Sequence, residues 1–168
     1  MRPTVLALLF VIGAAGSGES QTVLSPEPIS LSGPRVGFTY LDDGVLKTLK
    51  SYRRDARPML SQFGWQFERQ LFHNQAGITA VTEWVVLVGG LEQGMTIPSA
   101  SWLVGVRTGS GVELGVGPNL TPVGPALAFA AGVTFRSGAL NVPVNIAVVP
   151  SRQGRRYSVL TGFNLRRE

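Results

Sequence analysis

From Gly77 to Leu165 apolar residues alternate with small or polar ones. Val112, Leu114 and Val116 interleave with Glu113, Gly115 and Gly117. Leu127, Phe129, Ala131, Val133 and Phe135 interleave with Ala126, Ala128, Ala130, Gly132, Thr134 and Arg136. A period of two belongs to a strand, because successive side chains leave opposite faces of a sheet. The second face is the stronger constraint. A strand with one face in water usually presents Lys, Glu and Thr there, whereas these present mostly Gly, Ala and Asn. One apolar face and one face of small residues suit a narrow membrane barrel, with lipid outside and a crowded lumen inside.

The same alternation predicts eight strands, over 35–41, 61–72, 77–90, 99–108, 111–117, 125–136, 139–149 and 155–165. Phe63, Trp65 and Phe67 oppose Gln66, Glu68 and Gln70 in the second. Trp84, Val86 and Val88 oppose Glu83 and Gly89 in the third. Between the first two strands the pattern breaks. Asp42 or Asp43 can cap a helix, Val45, Leu46 and Leu49 follow at helical spacing, and Pro58 stops it. This predicts a short helix or an ordered loop. Pro143 interrupts strand seven and calls for a bulge, since proline has no N–H for the ladder.

Two hairpins test the faces. A two-residue turn at Ser137-Gly138 pairs Phe135 with Leu140 and Thr134 with Asn141. A three-residue loop at Thr108-Gly109-Ser110 pairs Val106 with Val112 and Gly105 with Glu113. Apolar meets apolar each time. Links after strands one, three, five and seven also read longer than the others, as outer loops do in outer-membrane barrels.

Arg2 precedes an uncharged, mostly apolar run over 5–15, and small residues follow at Gly16, Ser17, Gly18 and Ser20. The run falls short of the ~20 residues a helix needs to cross a bilayer, so residues 1–20 read as an export signal. Residues 21–34, with Pro26, Pro28 and Pro34, read as an extended lead-in, and 35–166 as one barrel domain. The chain has 168 residues and no cysteine, which excludes disulfides, thiolate metal sites and a cysteine nucleophile. Its net charge of +5 is not arranged as a basic stripe interleaved with aromatics, so no nucleic-acid partner is expected.

The charged residues sort into two sets. Glu68, Glu83, Arg107, Glu113 and Arg136 are isolated on the small-residue face. A buried charge needs a partner, so they predict a ladder of ion pairs plugging the lumen, with Arg107 and Glu113 paired across adjacent strands. An eight-stranded barrel is about wide enough for its own side chains to fill. Lys47, Lys50, Arg53, Arg54 and Arg57 crowd the segment after strand one and suit an anionic surface. Trp65, Trp84, Trp102, Tyr40 and Tyr157 lie on the apolar face, where a membrane barrel would use them as interface girdles. His73 stands in a turn without an evident Ser or Asp partner, and Asp42-Asp43 reads as a cap. No catalytic residue, metal or cofactor is predicted.

On this pattern the chain resembles the small eight-stranded outer-membrane β-barrels of bacteria. The resemblance covers most of the chain beyond the export signal and rests on alternation rather than on a diagnostic motif. It implies an all-β, eight-stranded antiparallel up-and-down barrel in the outer membrane. Its partners would be membrane lipid and, through the basic loop, lipopolysaccharide or another anionic envelope component. Members of that class act as adhesins, tethers, defence proteins or lipid-modifying enzymes. An acyl-transferring barrel would place His and Ser in outer loops; this chain has no His there, so no enzyme is expected. The alternative is a soluble periplasmic or secreted lipocalin-like barrel or β-sandwich, its apolar face turned inward around a lipid or apolar ligand.

Overall fold

In the computed structural model the described residues are 31–137 and 139–165; the expected export signal and most of the lead-in lie outside them. The chain forms β1 (Gly33–Leu41), α1 (Asp43–Tyr52), β2 (Met59–His73), β3 (Thr79–Gly89), β4 (Ile97–Arg107), β5 (Val112–Thr121), β6 (Gly124–Ser137), β7 (Leu140–Ser151) and β8 (Gly154–Gly162). A two-residue β9 (Asn164–Leu165) continues β8 along β7. Every strand pairs antiparallel with its sequence neighbours, and β1 pairs with β8, which closes an up-and-down barrel.

The registers set the barrel's geometry. Crossing the hydrogen bonds from Thr39, one meets Ser158, Ala147, Ala130, Gly115, Gly105, Val81 and Gln70. Gln70 lies four residues past Gln66, the partner of Gly33, so one circuit climbs the sheet by ten residues. Ten residues of rise over eight strand spacings give a strand tilt of about 41°. At that tilt a ten-residue strand such as β5 rises ~25 Å along the axis.

The apolar face points outward. Phe38, Trp65, Trp84, Val104, Leu114, Phe129 and Val159 are all exposed. The small-residue face lines the interior. Three glycines there permit close approach of strands: a Cβ at Gly37, Gly64 or Gly117 would lie 1.9 Å from a carbonyl oxygen of the neighbouring strand.

The proline problem is solved differently from expectation. β7 pairs with β8 up to Val144 opposite Thr161, and with β9 from Asn141 opposite Asn164. The register is the same on both sides, so Pro143 interrupts the ladder without a bulge. Pro118 does likewise between β4 and β5, where pairing lapses between Ser101–Asn119 and Val104–Val116. A bulge occurs instead in β2, where Leu71 is the extra residue between Gln70 and Phe72.

Both hairpin registers shift by two residues from the sequence expectation. Ser137 pairs with Leu140, which moves the link to positions 138–139. Arg107 pairs with Glu113, and Gly111, at φ +89°, closes a three-residue loop over 109–111. A two-residue slip keeps every side chain on its face, so alternation could not detect it. Loop lengths also differ. β5 runs through Pro118 to Thr121 and β7 through Pro150 to Ser151, so the β5–β6 and β7–β8 links are only two residues each. At that end only the α1 segment and the β3–β4 link, with its 3-10 turn at Leu91–Gln93, are long.

α1 starts at a cap. The Asp42 side chain accepts from the Val45 N–H at 3.2 Å and from the Arg155 N–H at 2.5 Å, which ties the helix start to β8. The helix ends at Tyr52, six residues before Pro58, with Arg53 as its C-cap. Val45, with Leu46 and Leu49, packs against Leu41, Ala56, Leu60, Met95 and Ile97. This apolar contact lays the helix at one end of the barrel.

Candidate functional site

The interior divides along its axis. Toward the short turns between β2 and β3 and between β4 and β5 lies a charged cluster centred on Arg107. Its Nε donates to Glu113 at 2.6 Å and its Nη1 to Glu68 at 2.8 Å, while Nη2 reaches Glu68, Glu113 and, at 3.6 Å, Glu83. The pairing of Arg107 with Glu113 in register brings these two together; the tilt of the sheet brings in Glu68 and Glu83 from β2 and β3. The three glutamates hold carboxylate oxygens within 4.8 Å of one another, a spacing a divalent cation can use. Arg107 already serves them as counter-ion.

Arg136 does not join the cluster. It shares the inward parity of Thr134 but stands exposed at the rim, its Nη2 donating to the Gly109 carbonyl at 3.3 Å. Two interior cations were not among the sequence candidates. Arg35 is buried and bonds Gln66 Oε1 at 3.0 Å and the carbonyls of Pro34 and Leu31. Arg156 is buried near the helical end and donates to Asn119 Oδ1 at 2.8 Å. Parity alone would have found both, since Arg35 precedes inward Gly37 by two and Arg156 precedes inward Ser158 by two.

Above the charged cluster the interior is not a polar plug. Val85, Leu87, Leu103, Ala128, Val149 and Leu160 form an apolar collar. The run from Trp84 to Leu91 masked this, because with both faces apolar its inward members look like outward ones. Between collar and helix lies a cavity of about 110 Å³, space for about four waters at ~30 Å³ each. Val45 and Leu49 of α1 and Pro122 and Val123 of the β5–β6 link contribute to its wall.

The basic residues lie outside this chamber. Lys47 and Lys50 are exposed on α1, and Arg54 and Arg57 are exposed beyond its end. Arg53 is engaged with Asp55 at 2.9 Å and with the Gly94 carbonyl. Backbone N–H donors from Arg155 and Val45 hold the Asp42 carboxyl below the usual carboxylate range. His73 ends β2, exposed, with Nδ1 2.8 Å from Thr79 Oγ1.

The tryptophans do not form girdles. Trp65, Trp84 and Trp102 sit near the middles of β2, β3 and β4, on one side of the barrel. Trp84 and Trp102 face each other across the pair and stack at 6.1 Å. The Trp102 indole N–H donates to Thr82 Oγ1 at 2.8 Å, so it needs no outside acceptor.

The fold and its interior define a closed, eight-stranded antiparallel barrel with an inverted polarity, apolar outside and mixed inside. Comparison with known proteins finds no matching family model, no matching curated protein and no matching solved structure. Among the described residues no helix is long and apolar enough to cross a membrane, which bears on helices alone.

Proposed function

We propose that this chain is an outer-membrane barrel with a structural or surface-binding role. The observation that carries the reading is the outer face. Among the described strand residues its only outward charges are Arg69, toward the short turns, and Arg155, at the helical end. An apolar surface of this extent is costly in water and suited to lipid. A strand rise of ~25 Å matches the height of the apolar band of such barrels. Two outward polar groups are also satisfied within the barrel: Trp102 by Thr82, and Thr161 Oγ1 by the Pro143 carbonyl at 3.0 Å. Lipid supplies no hydrogen bonds, so this is what a lipid-facing surface requires.

In this reading the helical end faces out of the cell, and Lys47, Lys50, Arg54 and Arg57 meet the phosphates of lipopolysaccharide or a like anionic envelope component. The role is not catalytic; the exposed His73, paired with buried Thr79, lies at the opposite end, away from the chamber. The test is fractionation of the native chain with and without detergent. The protein should leave the envelope fraction only with detergent and migrate differently on gels before and after heating. Recovery in the soluble fraction without detergent overturns the reading.

The rival is a soluble lipocalin-like barrel. The apolar collar and the cavity beneath α1 favour it, because they offer a ligand an enclosed wall. The same fractionation separates the two.

A further inference from the structure

The chamber beneath α1 carries polar groups that the protein itself leaves without partners. Arg156 is 8% exposed and lines the cavity. Its Nη2 is engaged by Asn119, but its Nε has no acceptor. Among the described residues no carboxylate is ion-paired with it; the interior glutamates pair with Arg107. Gln66, 1% exposed, gives its Oε1 to Arg35 and leaves Nε2 unpaired, and Gln62 leaves Oε1 unpaired. Both line the same cavity. A buried guanidinium without an anion costs several kcal/mol, and each buried unpaired donor or acceptor costs about 1–3 kcal/mol. An anion at Arg156 Nε removes the largest of these costs.

The rest of the wall specifies what that ligand is. Leu103, Leu160, Val85 and Val149 form a sleeve deeper in the barrel than Arg156. Leu160 lies four residues further along β8, about 13 Å along the strand. A cation at the mouth and an apolar sleeve beyond it are complementary to one chemical class. We propose that the chamber binds a single-chain anionic amphiphile of the fatty-carboxylate type. Its carboxylate accepts from Arg156 Nε near the helical end, and its chain runs inward along the collar. The distance from Arg156 to Leu160 suits a chain of about eight to ten carbons. Val45 and Leu49 of α1 cover the head of the ligand. The proposal is independent of where the barrel resides, since it concerns the interior alone.

The test uses the full-length chain, either in phosphatidylcholine nanodiscs or in buffer according to its fractionation. Decanoate labelled with 13C at the carboxyl is titrated and followed by NMR. The expected result is a saturable bound resonance, with contacts from the decanoate chain to Leu103 and Leu160 methyl groups. Decanol should bind at least tenfold more weakly, and decyltrimethylammonium should not compete. Arg156→Gln, checked for folding by circular dichroism, should weaken decanoate at least tenfold, as loss of a charge-assisted hydrogen bond does. Arg69→Gln, outside the barrel, should bind as the native chain does. Absence of saturable binding by the folded native chain overturns the proposal. So does decanol binding as tightly as decanoate, or bound decanoate whose contacts lie only with outward residues.

Discussion

Replacing Arg107 by Met leaves three glutamates facing one another without their common cation. In the native barrel Arg107 bonds Glu113 at 2.6 Å and Glu68 at 2.8 Å and lies 3.6 Å from Glu83. Its side chain is 6% exposed, so water replaces little of what is lost. Removing one member of a buried ionic group costs about 3–5 kcal/mol, chiefly because the partners stay buried and uncompensated. Total stabilities of about 5–15 kcal/mol make this a large fraction. Arg107→Lys keeps the charge but loses the fork that reaches two carboxylates at once, so it should fall between. The assay is equilibrium urea unfolding of the refolded chain in lipid vesicles, followed by tryptophan fluorescence. The decisive quantity is coupling. Arg107→Met combined with Glu113→Gln should destabilise less than the two single changes added together, by at least about 1 kcal/mol. Simple additivity, or an Arg107→Met loss below about 1 kcal/mol, would falsify the account of the cluster as an ionic unit.

The outward face offers a second test. Val116, near the middle of β5 and 43% exposed, should tolerate Arg in a soluble barrel but lose about 2–4 kcal/mol in lipid vesicles. Unchanged vesicle stability would contradict lipid contact. At the helical end Asp42 has its carboxyl lowered by the Arg155 and Val45 amides. A lowered folded value means its contribution is full above about pH 4, where an unfolded Asp is ionised, and fades as pH drops through the folded value. Hydrogen exchange at the Val45 and Arg155 amides should therefore show protection falling below about pH 4; an identical fall in Asp42→Asn would count against it. Changing Lys47, Lys50, Arg54 and Arg57 together to Gln should weaken binding to lipopolysaccharide-containing vesicles by tenfold or more, since each surface cation contributes up to about 1 kcal/mol, and should reduce its salt dependence. Equal binding by the variant would remove the basic segment from the proposed role.

Much of the barrel is readable from particular residues. The parity of Val112 to Gly117 and of Ala126 to Arg136 assigns faces that the barrel keeps. Asp42 reads as a cap and is one. The cluster was legible in part: Glu68, Glu83, Arg107 and Glu113 all lie inside, and Arg136 lies at the rim. Arg35 and Arg156 follow the same parity and fall within the expected first and eighth strands, so the alternation already placed them inside although they were not singled out. Leu87 and Val85 were obscured by an apolar run with no alternation. Pro118 shortened the expected fifth strand, because a proline argues against a ladder that in fact lapses there and resumes in register.

What the chain's alternation determined is which way each side chain faces, and hence an apolar outside, a small-residue inside and an even number of strands. Alternation is unchanged by a slip of two residues, so it carried no information on register. Register is a property of the closed sheet: eight tilted strands meet β1 again with a ten-residue offset. The β4–β5 hairpin register places Arg107 opposite Glu113, the offset gathers Glu68 and Glu83 from two other strands, and among the described residues no carboxylate is ion-paired with Arg156. Such convergence depends on distances across the lumen, which a one-dimensional pattern does not contain.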